Sequence, residues 1–242
     1  MFVSTVTADV FGTQCYVVAP AEGERCLIVD PGVGVVPRLA ALLERHRLTP
    51  AAVLLTHGHL DHTFAVTPLS QAHGVAVRIH AQDAYRLRDA YAGLDPQLAA
   101  LVREQAGPWS APSDVVTFEG GELRLELADL EILVRHAPGH TEGSVMFEIE
   151  GVPEALSSAA GPGEALPTRT LLSGDVLFAG GIGRTDLPGG NDAAMVATLR
   201  DVVWPLPDDV LVLPGHGPAT TMGVERRRNP YLIAAHRQAG VS

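Results

Sequence analysis

The chain has 242 residues, 46% hydrophobic and 19% charged, which is ample material for a buried core and carries no disorder signature. Its 17 basic against 28 acidic residues give a formal net charge of −11, a balance that repels a phosphate backbone and argues against nucleic acid as a partner. All 17 basic residues are arginine, so catalytic-lysine chemistry, whether Schiff-base or P-loop, is excluded.

The chain opens with predicted antiparallel strands at Phe2–Ala8, Gln14–Ala19 and Arg25–Asp30, parted by turn chemistry at Phe11-Gly12-Thr13 and Pro20–Glu24. Cys15 and Cys26 fall inside two of these apolar runs and read as small core residues; two cysteines make neither a disulfide framework nor a cysteine zinc finger. After a loop at Gly32–Pro37, Arg38–His46 carries Leu39, Leu42 and Leu43 at helical spacing. Ala51–Thr56 is a predicted buried strand that ends in a burst of polar residues. Thr63–His73 reads as a helix stopped by Gly74, and Val75–Ile79 as a strand. Residues 81–106 are alanine- and leucine-rich with helical spacing, broken at Asp95-Pro96.

The second half repeats this grammar. Strands are predicted at Val115–Phe118, Glu122–Leu127, Leu130–Arg135, Val145–Glu150, Thr170–Ser173 and Val210–Leu213, and a helix at Ala193–Val202. Gly151–Arg169, rich in Gly, Pro, Ala and Ser, reads as an exposed loop. Strand pairs precede helices in both halves, roughly 1–113 and 114–242. The prediction is one α+β domain of two related half-barrels or sheets packed face to face with helices outside. No apolar run approaches the roughly 20 residues of a membrane helix, and Met1–Val6 lacks a leader pattern, so the chain reads as soluble, cytoplasmic and without a membrane partner.

The chemistry concentrates in Thr56-His57-Gly58-His59-Leu60-Asp61-His62, directly after a buried strand. His57 and His59 can point the same way from an extended turn, Gly58 permits the tight backbone path, and Asp61 and His62 start the next helix. Three further candidates each follow a predicted strand and sit among glycines: His140, Asp175 and His216. Nitrogen and oxygen donors of this kind suit zinc, iron or manganese. Seven of them match two metal ions sharing one carboxylate, at the ~3.5–4 Å separation of two-metal sites.

His57-x-His59-x-Asp61-His62, followed in order by His140, Asp175 and His216 and preceded by Asp30-Pro31-Gly32, resembles the metallo-β-lactamase fold superfamily over nearly the whole chain. The resemblance implies a four-layer αββα sandwich of two mixed sheets with the metals at one edge. It implies that His57, His59 and His140 hold a first metal, that Asp61, His62 and His216 hold a second, and that Asp175 bridges them. The stretch Phe178–Gly190 and the tail Glu225–Leu232 are similar to short glyoxalase II-like hydrolases. That likeness implies cleavage of a small-molecule thioester such as S-D-lactoylglutathione by a hydroxide held between two ions, most simply zinc, with iron or manganese as alternatives. Asp61 and Asp175 then carry catalytic roles, Asp61 steadying the nucleophile's proton and Asp175 the spacing of the ions.

Two departures stand out. The C-terminal helical domain with which long glyoxalase II enzymes grip glutathione has no counterpart, the chain stopping at Ser242, and position 142 is Glu where many relatives have proline. Two rival activities share the fold: a persulfide dioxygenase, with one iron on counterparts of His57, His140 and Asp175, and a lactonase. The full set Asp61, His62 and His216 favours the hydrolase over the first. A β-lactamase is disfavoured because Asp175 occupies a bridging position that those enzymes usually lack. Oligomeric state is not legible.

Other residues read more simply as structure. His46, His73, His80, His136 and His236 lie outside the ligand pattern. Arg184 and Asp186 read as a loop-stabilising ion pair, with contact to substrate as the alternative; Tyr85, Arg86, Arg88, Tyr91 and Trp109 lie on an amphipathic segment that can form a lid. Arg226-Arg227-Arg228 reads as a solvated helix start with an alternative use in drawing an acidic substrate.

Overall fold

The computed structural model describes residues 1–91, 94–159 and 166–238. The first sheet takes its strands in chain order, β1 (Phe2–Thr7), β2 (Gln14–Ala19), β3 (Arg25–Val29), β4 (Thr49–Leu54), β5 (Val77–His80) and β6 (Val115–Phe118). Strands β1 to β3 pair antiparallel and β3 to β6 parallel, so the sheet is mixed. The second sheet comprises β7 (Glu122–Leu127), β8 (Leu130–His136), β9 (Val145–Glu150), β10 (Arg169–Gly174), β13 (Val210–Pro214) and β14 (Thr220–Thr221), with β10 and β13 its parallel pair. A two-residue ribbon, β11 (Leu177–Phe178) with β12 (Gly181–Ile182), closes the loop after β10.

The strand sequences dictate the layering. In β2, Cys15, Val17 and Ala19 join an outer core while Tyr16 and Val18 join the core between the sheets. In β3, Cys26 and Ile28 face outward, and Leu27 and Val29 inward. Both faces are buried, which is why these strands read as continuous apolar runs rather than as an alternation. The inter-sheet core sets Leu27, Val29 and Leu54 against Ile132, Val134, Phe147 and Leu172. Helices α1 (Val36–Arg45) and α3 (Val66–His73) cover the first sheet through Leu39, Leu43 and Leu69. On the second sheet, α6 (Asp192–Thr198), α7 (Met222–Arg228) and α8 (Pro230–Gln238) supply Met195, Met222 and Leu232. The result is the expected four-layer αββα sandwich.

Several boundaries move for local reasons. Helix α1 begins at Val36, because Pro37 is tolerated in a first turn whose N–H groups lack partners anyway. The predicted helix Thr63–His73 is split into α2 (Leu60–Thr63) and α3, with Ala65 N–H bonded to the Pro31 carbonyl at 2.9 Å. The 81–106 segment is a 3₁₀ stretch, Ala81–Arg88, and then α4 (Pro96–Ala106), whose first turn is capped by Asp95 accepting from Gln97 N–H (2.9 Å) and Leu98 N–H (3.2 Å). Helix α6 widens into a π turn at Leu199–Val203. Within 151–169, read from sequence as an exposed loop, α5 (Glu154–Ala159) forms because Val152 and Leu156 have an apolar surface to cover at the rim of the inter-sheet core. Residues 160–165 of that segment lie outside the described residues. Among the described residues no helix is long and apolar enough to cross a membrane.

Backbone hydrogen bonds join the two sheets at one end. Thr56 carbonyl, just after β4, accepts from Val145 N–H of β9, and Gly215 carbonyl, just after β13, accepts from Gln14 N–H of β2, both at 2.8 Å. Gly215 N–H in turn donates to Gly174 carbonyl at 2.8 Å. The loops that follow β4, β8, β10 and β13 therefore meet over a single seam.

Candidate metal centre

All seven predicted donors converge on that seam. His57 follows β4, and His59 is the N-cap of α2, with Asp61 and His62 in its single turn. His140 lies between β8 and β9, Asp175 just past β10, and His216 just past β13. Donor atoms of His57, His59 and His140 lie within 4.8 Å of one another, as do those of Asp61, His62 and His216, and those of His57, His62 and Asp175. Asp175 sits between the two histidine groups: its Oδ1 is 3.4 Å from His62 Nε2, and its Oδ2 is 3.5 Å from both His140 Nε2 and His216 Nε2.

The surrounding hydrogen bonds fix which nitrogens face inward. His140 Nδ1 donates to Arg184 carbonyl (2.7 Å); a carbonyl only accepts, so Nε2 is left as a bare lone pair. Thr56 Oγ1 donates to Asp30 Oδ2 (2.6 Å) and is thereby free to accept from His57 Nδ1 (3.1 Å), which leaves His57 Nε2 bare. These two lone pairs lie 3.2 Å apart, and His59 Nδ1 points at His140 Nε2 from 2.9 Å. Burial pushes all three imidazoles below their ordinary range, His59 to about 3 with His140 as the next cause, so all three stand neutral. Two bare acceptors, His57 Nε2 and His140 Nε2, thus face each other at 3.2 Å with His59 Nδ1 beside them, an arrangement that a cation among the three would satisfy. The donor set fits a metal ion.

The other half of the cluster carries carboxylates. Burial alone would raise Asp61 and Asp175, but His62 overrides it and holds both below the usual carboxylate range. Burial would likewise lower His62, yet Asp175, Asp61 and Asp30 together hold its proton on well above the ordinary range. Asp175 Oδ1 is buried with no hydrogen-bond partner. Asp61 and Asp175 likewise hold His216 above its ordinary range against burial, so these acids draw positive charge into this half too, a demand that a second divalent ion would meet.

Three residues outside the sequence-level pattern hold the donors in place. Asp30, held at φ 52°, accepts from Thr56 N–H (2.8 Å), Thr56 Oγ1 and His62 Nδ1 (3.0 Å). Asp83 is fully buried and accepts from Gly58 N–H (2.7 Å), Thr141 Oγ1 (2.7 Å) and Gly143 N–H (2.9 Å), tying the His57–His62 loop to the His140 loop. Thr13 Oγ1 donates to Asp61 Oδ2 (3.0 Å). The sequence signalled Asp30 only as part of a turn, and Asp83 and Thr13 not at all, because their roles depend on contacts between distant segments. Gly58 is required for close approach rather than for a left-handed path: a Cβ there would lie 2.7 Å from Arg86 Cδ. At Gly183 a Cβ would overlap the Asp175 carbonyl oxygen.

The remaining candidates sort by position. Glu142 accepts from Arg86 Nη2 at 2.8 Å, which gives the unusual residue at that position a partner. Arg184 pairs with Asp186 (2.6 Å). His46 pairs with Glu22, His80 stacks on His136, and His236 stacks on Trp204, all apart from the cluster. The Arg226–Arg228 run, read from sequence as a helix start, instead forms the last turn of α7, away from the cluster. Arg226 donates to the carbonyls of Trp204 (2.8 Å) and Leu206 and pairs with Asp208, so it fastens α7 rather than attracting substrate.

An uncharacterised Mycobacterium tuberculosis protein is 38% identical over 238 residues, spanning 98% of this chain and 100% of the relative. The hydroxyacylglutathione hydrolase GloC of Haemophilus influenzae is 33% identical over 240 residues, spanning 96% and 98%. Among solved structures, the BLEG-1 B3 metallo-beta-lactamase superposes with a TM-score of 0.73 at 32% identity, covering 96% of this chain and 99% of that one. TTHA1623, solved in a di-iron-bound form, gives 0.71 at 34% identity, covering 94% and 99%. The family model of the metallo-beta-lactamase superfamily matches residues 8–153, and with the sandwich and the seven-donor cluster in place the chain belongs to that superfamily.

Proposed function

We propose that the protein is a binuclear metal-dependent hydrolase that cleaves thioesters, of the hydroxyacylglutathione hydrolase type. The observation that carries this reading is the completeness of both donor groups on either side of Asp175. A single-iron dioxygenase would use His57, His140 and Asp175 and leave Asp61, His62 and His216 without a task. Two divalent ions held there would supply hydroxide at neutral pH and polarise a carbonyl. His57, His59 and His140 would hold the first ion and Asp61, His62 and His216 the second, with Asp175 available to both. The Asp61 carboxylate, oriented by Thr13 Oγ1 and by His216 Nε2 at 3.2 Å, is placed to hold the nucleophile's proton. The thiolate is a good leaving group and needs no separate acid. Zinc is the first choice of metal, and the likeness to a di-iron protein keeps iron beside it. The partner is a small-molecule thioester in the cytoplasm, with no role for nucleic acid or membrane.

The test is hydrolysis of S-D-lactoylglutathione by protein loaded separately with zinc, iron and manganese. Turnover that a chelator abolishes supports the reading and identifies a competent metal. Absence of turnover from protein holding two ions rejects that ester, and persulfide oxidation by a one-iron form would replace the reading altogether.

A further inference from the structure

The donor cluster forms the floor of a cavity of about 500 Å³, within the ~300–1,000 Å³ range of small-ligand sites. Its walls are apolar: Phe11, Ala90, Leu94, Leu98, Phe178 and Leu187. Phe11 is 45% exposed and sits at φ 67°, a left-handed backbone that an aromatic residue rarely adopts, so the turn after β1 holds an uncovered ring over the opening at some conformational cost. Two arginines reach the cavity, and the chain neutralises each. Arg86, only 9% exposed, donates through Nη2 to Glu142 Oε2 and to Pro188 carbonyl, both at 2.8 Å. Arg184 forks onto Asp186 at 2.6 and 2.7 Å. Asp89 adds a negative charge to the lining. A glutathione thioester brings two carboxylates, and among the described lining residues it meets no unpaired cation. An alkyl chain meets leucine and phenylalanine.

We infer that this cavity receives the acyl group of the thioester and selects an uncharged aliphatic chain over a short hydroxylated one such as lactoyl. The inference rests on the thioester hydrolysis proposed above. Water adds its oxygen to the acyl carbon as the C–S bond breaks, and its protons end on the carboxylic acid and the released thiol. The wall supplies differential binding along the chain, about fourfold per buried methylene.

The experiment measures kcat/KM of the metal-loaded protein on N-acetylcysteamine thioesters from acetyl to octanoyl, and on lactoyl- and octanoylglutathione as a pair on one carrier. The expected result is a rise of about fourfold per methylene until the cavity is filled, and an octanoyl ester at least tenfold better than the lactoyl ester. Leu98→Asp, which puts a charge on the wall from a half-buried helix position, should flatten the dependence on length, while Leu98→Met should keep it. A flat series in the wild type, or a slope unchanged in Leu98→Asp, overturns the inference. If no thioester is cleaved, the proposed reaction has failed, and calorimetric binding of S-octyl and S-methyl N-acetylcysteamine thioethers then decides the cavity on its own. Tighter binding of the octyl compound that Leu98→Asp removes supports the apolar pocket; equal binding of both overturns it.

Discussion

The Asp30 carboxylate accepts the Nδ1 proton of His62 at 3.0 Å, and so determines that His62 turns Nε2 toward Asp175 and His216. A residue outside the donor cluster thus sets the orientation of one within it. Asp30→Asn keeps the shape but replaces one acceptor oxygen with a donor. The variant should bind metal about 10–100-fold more weakly, read by competition with a chromophoric chelator. Wild-type affinity would show that His62 is oriented by packing alone.

Asp83 acts in the same way on the other side. Asp83→Ala leaves Gly58 N–H, Gly143 N–H and Thr141 Oγ1 without their acceptor, each a loss of about 1–3 kcal/mol when it stays buried. The melting temperature should fall, and the variant's kcat should drop by at least tenfold in metal-saturating buffer. A fall in stability with kcat intact would make Asp83 a structural brace only.

Asp175→Ala and His59→Ala remove, respectively, the group between the two donor sets and one member of the first. Both should abolish turnover, and metal content by elemental analysis should fall below two ions per chain. Full activity in either variant would refute the binuclear assignment.

Stripping the metals should destabilise the chain without unfolding it. At free metal 100-fold above the dissociation constant, one site contributes about 2.7 kcal/mol, or roughly 5–10 °C in melting temperature for a chain of this size. Scanning calorimetry before and after chelation checks this, and an unchanged melting temperature would mean that the ions bind the folded cluster only weakly.

Cys15 and Cys26 are completely buried, and burial pushes both thiols up, Cys26 to about 12. Below that range both remain protonated, so at pH 8 neither should react with a thiol reagent in the native state, and both should react after denaturation. Native labelling would reveal an opening of the first sheet.

How much of this was legible in the sequence depends on how local each signal is. His57 to His62 lie within six consecutive positions, and His140, Asp175 and His216 each carry glycine neighbours, so the donor set could be read directly. The strands of the first half were equally plain, because residues buried on both faces leave unbroken apolar runs such as Cys26-Leu27-Ile28-Val29. Asp83 and Thr13 gave no sign, since a carboxylate that accepts from two distant loops looks like any surface Asp until the loops meet. Helix α5 was hidden by the glycine and proline around it, and its packing partners lie on the inter-sheet core. The arginine run of α7 reads as a solvated helix start, yet it closes the helix's last turn, and Arg226 became a fastening once Trp204 and Asp208 were brought beside it.

The seam between the sheets also sets the order of assembly. His59 meets His140 across 81 residues of chain, and His62 meets His216 across 154. An ion that tried to gather these donors from an unfolded chain would have to close very long loops, at an entropic cost that grows with their length. In a zinc finger the ligands are neighbours and the metal organises the fold; here the fold must come first. An ion that binds this cluster would therefore meet a finished cradle rather than help to build it.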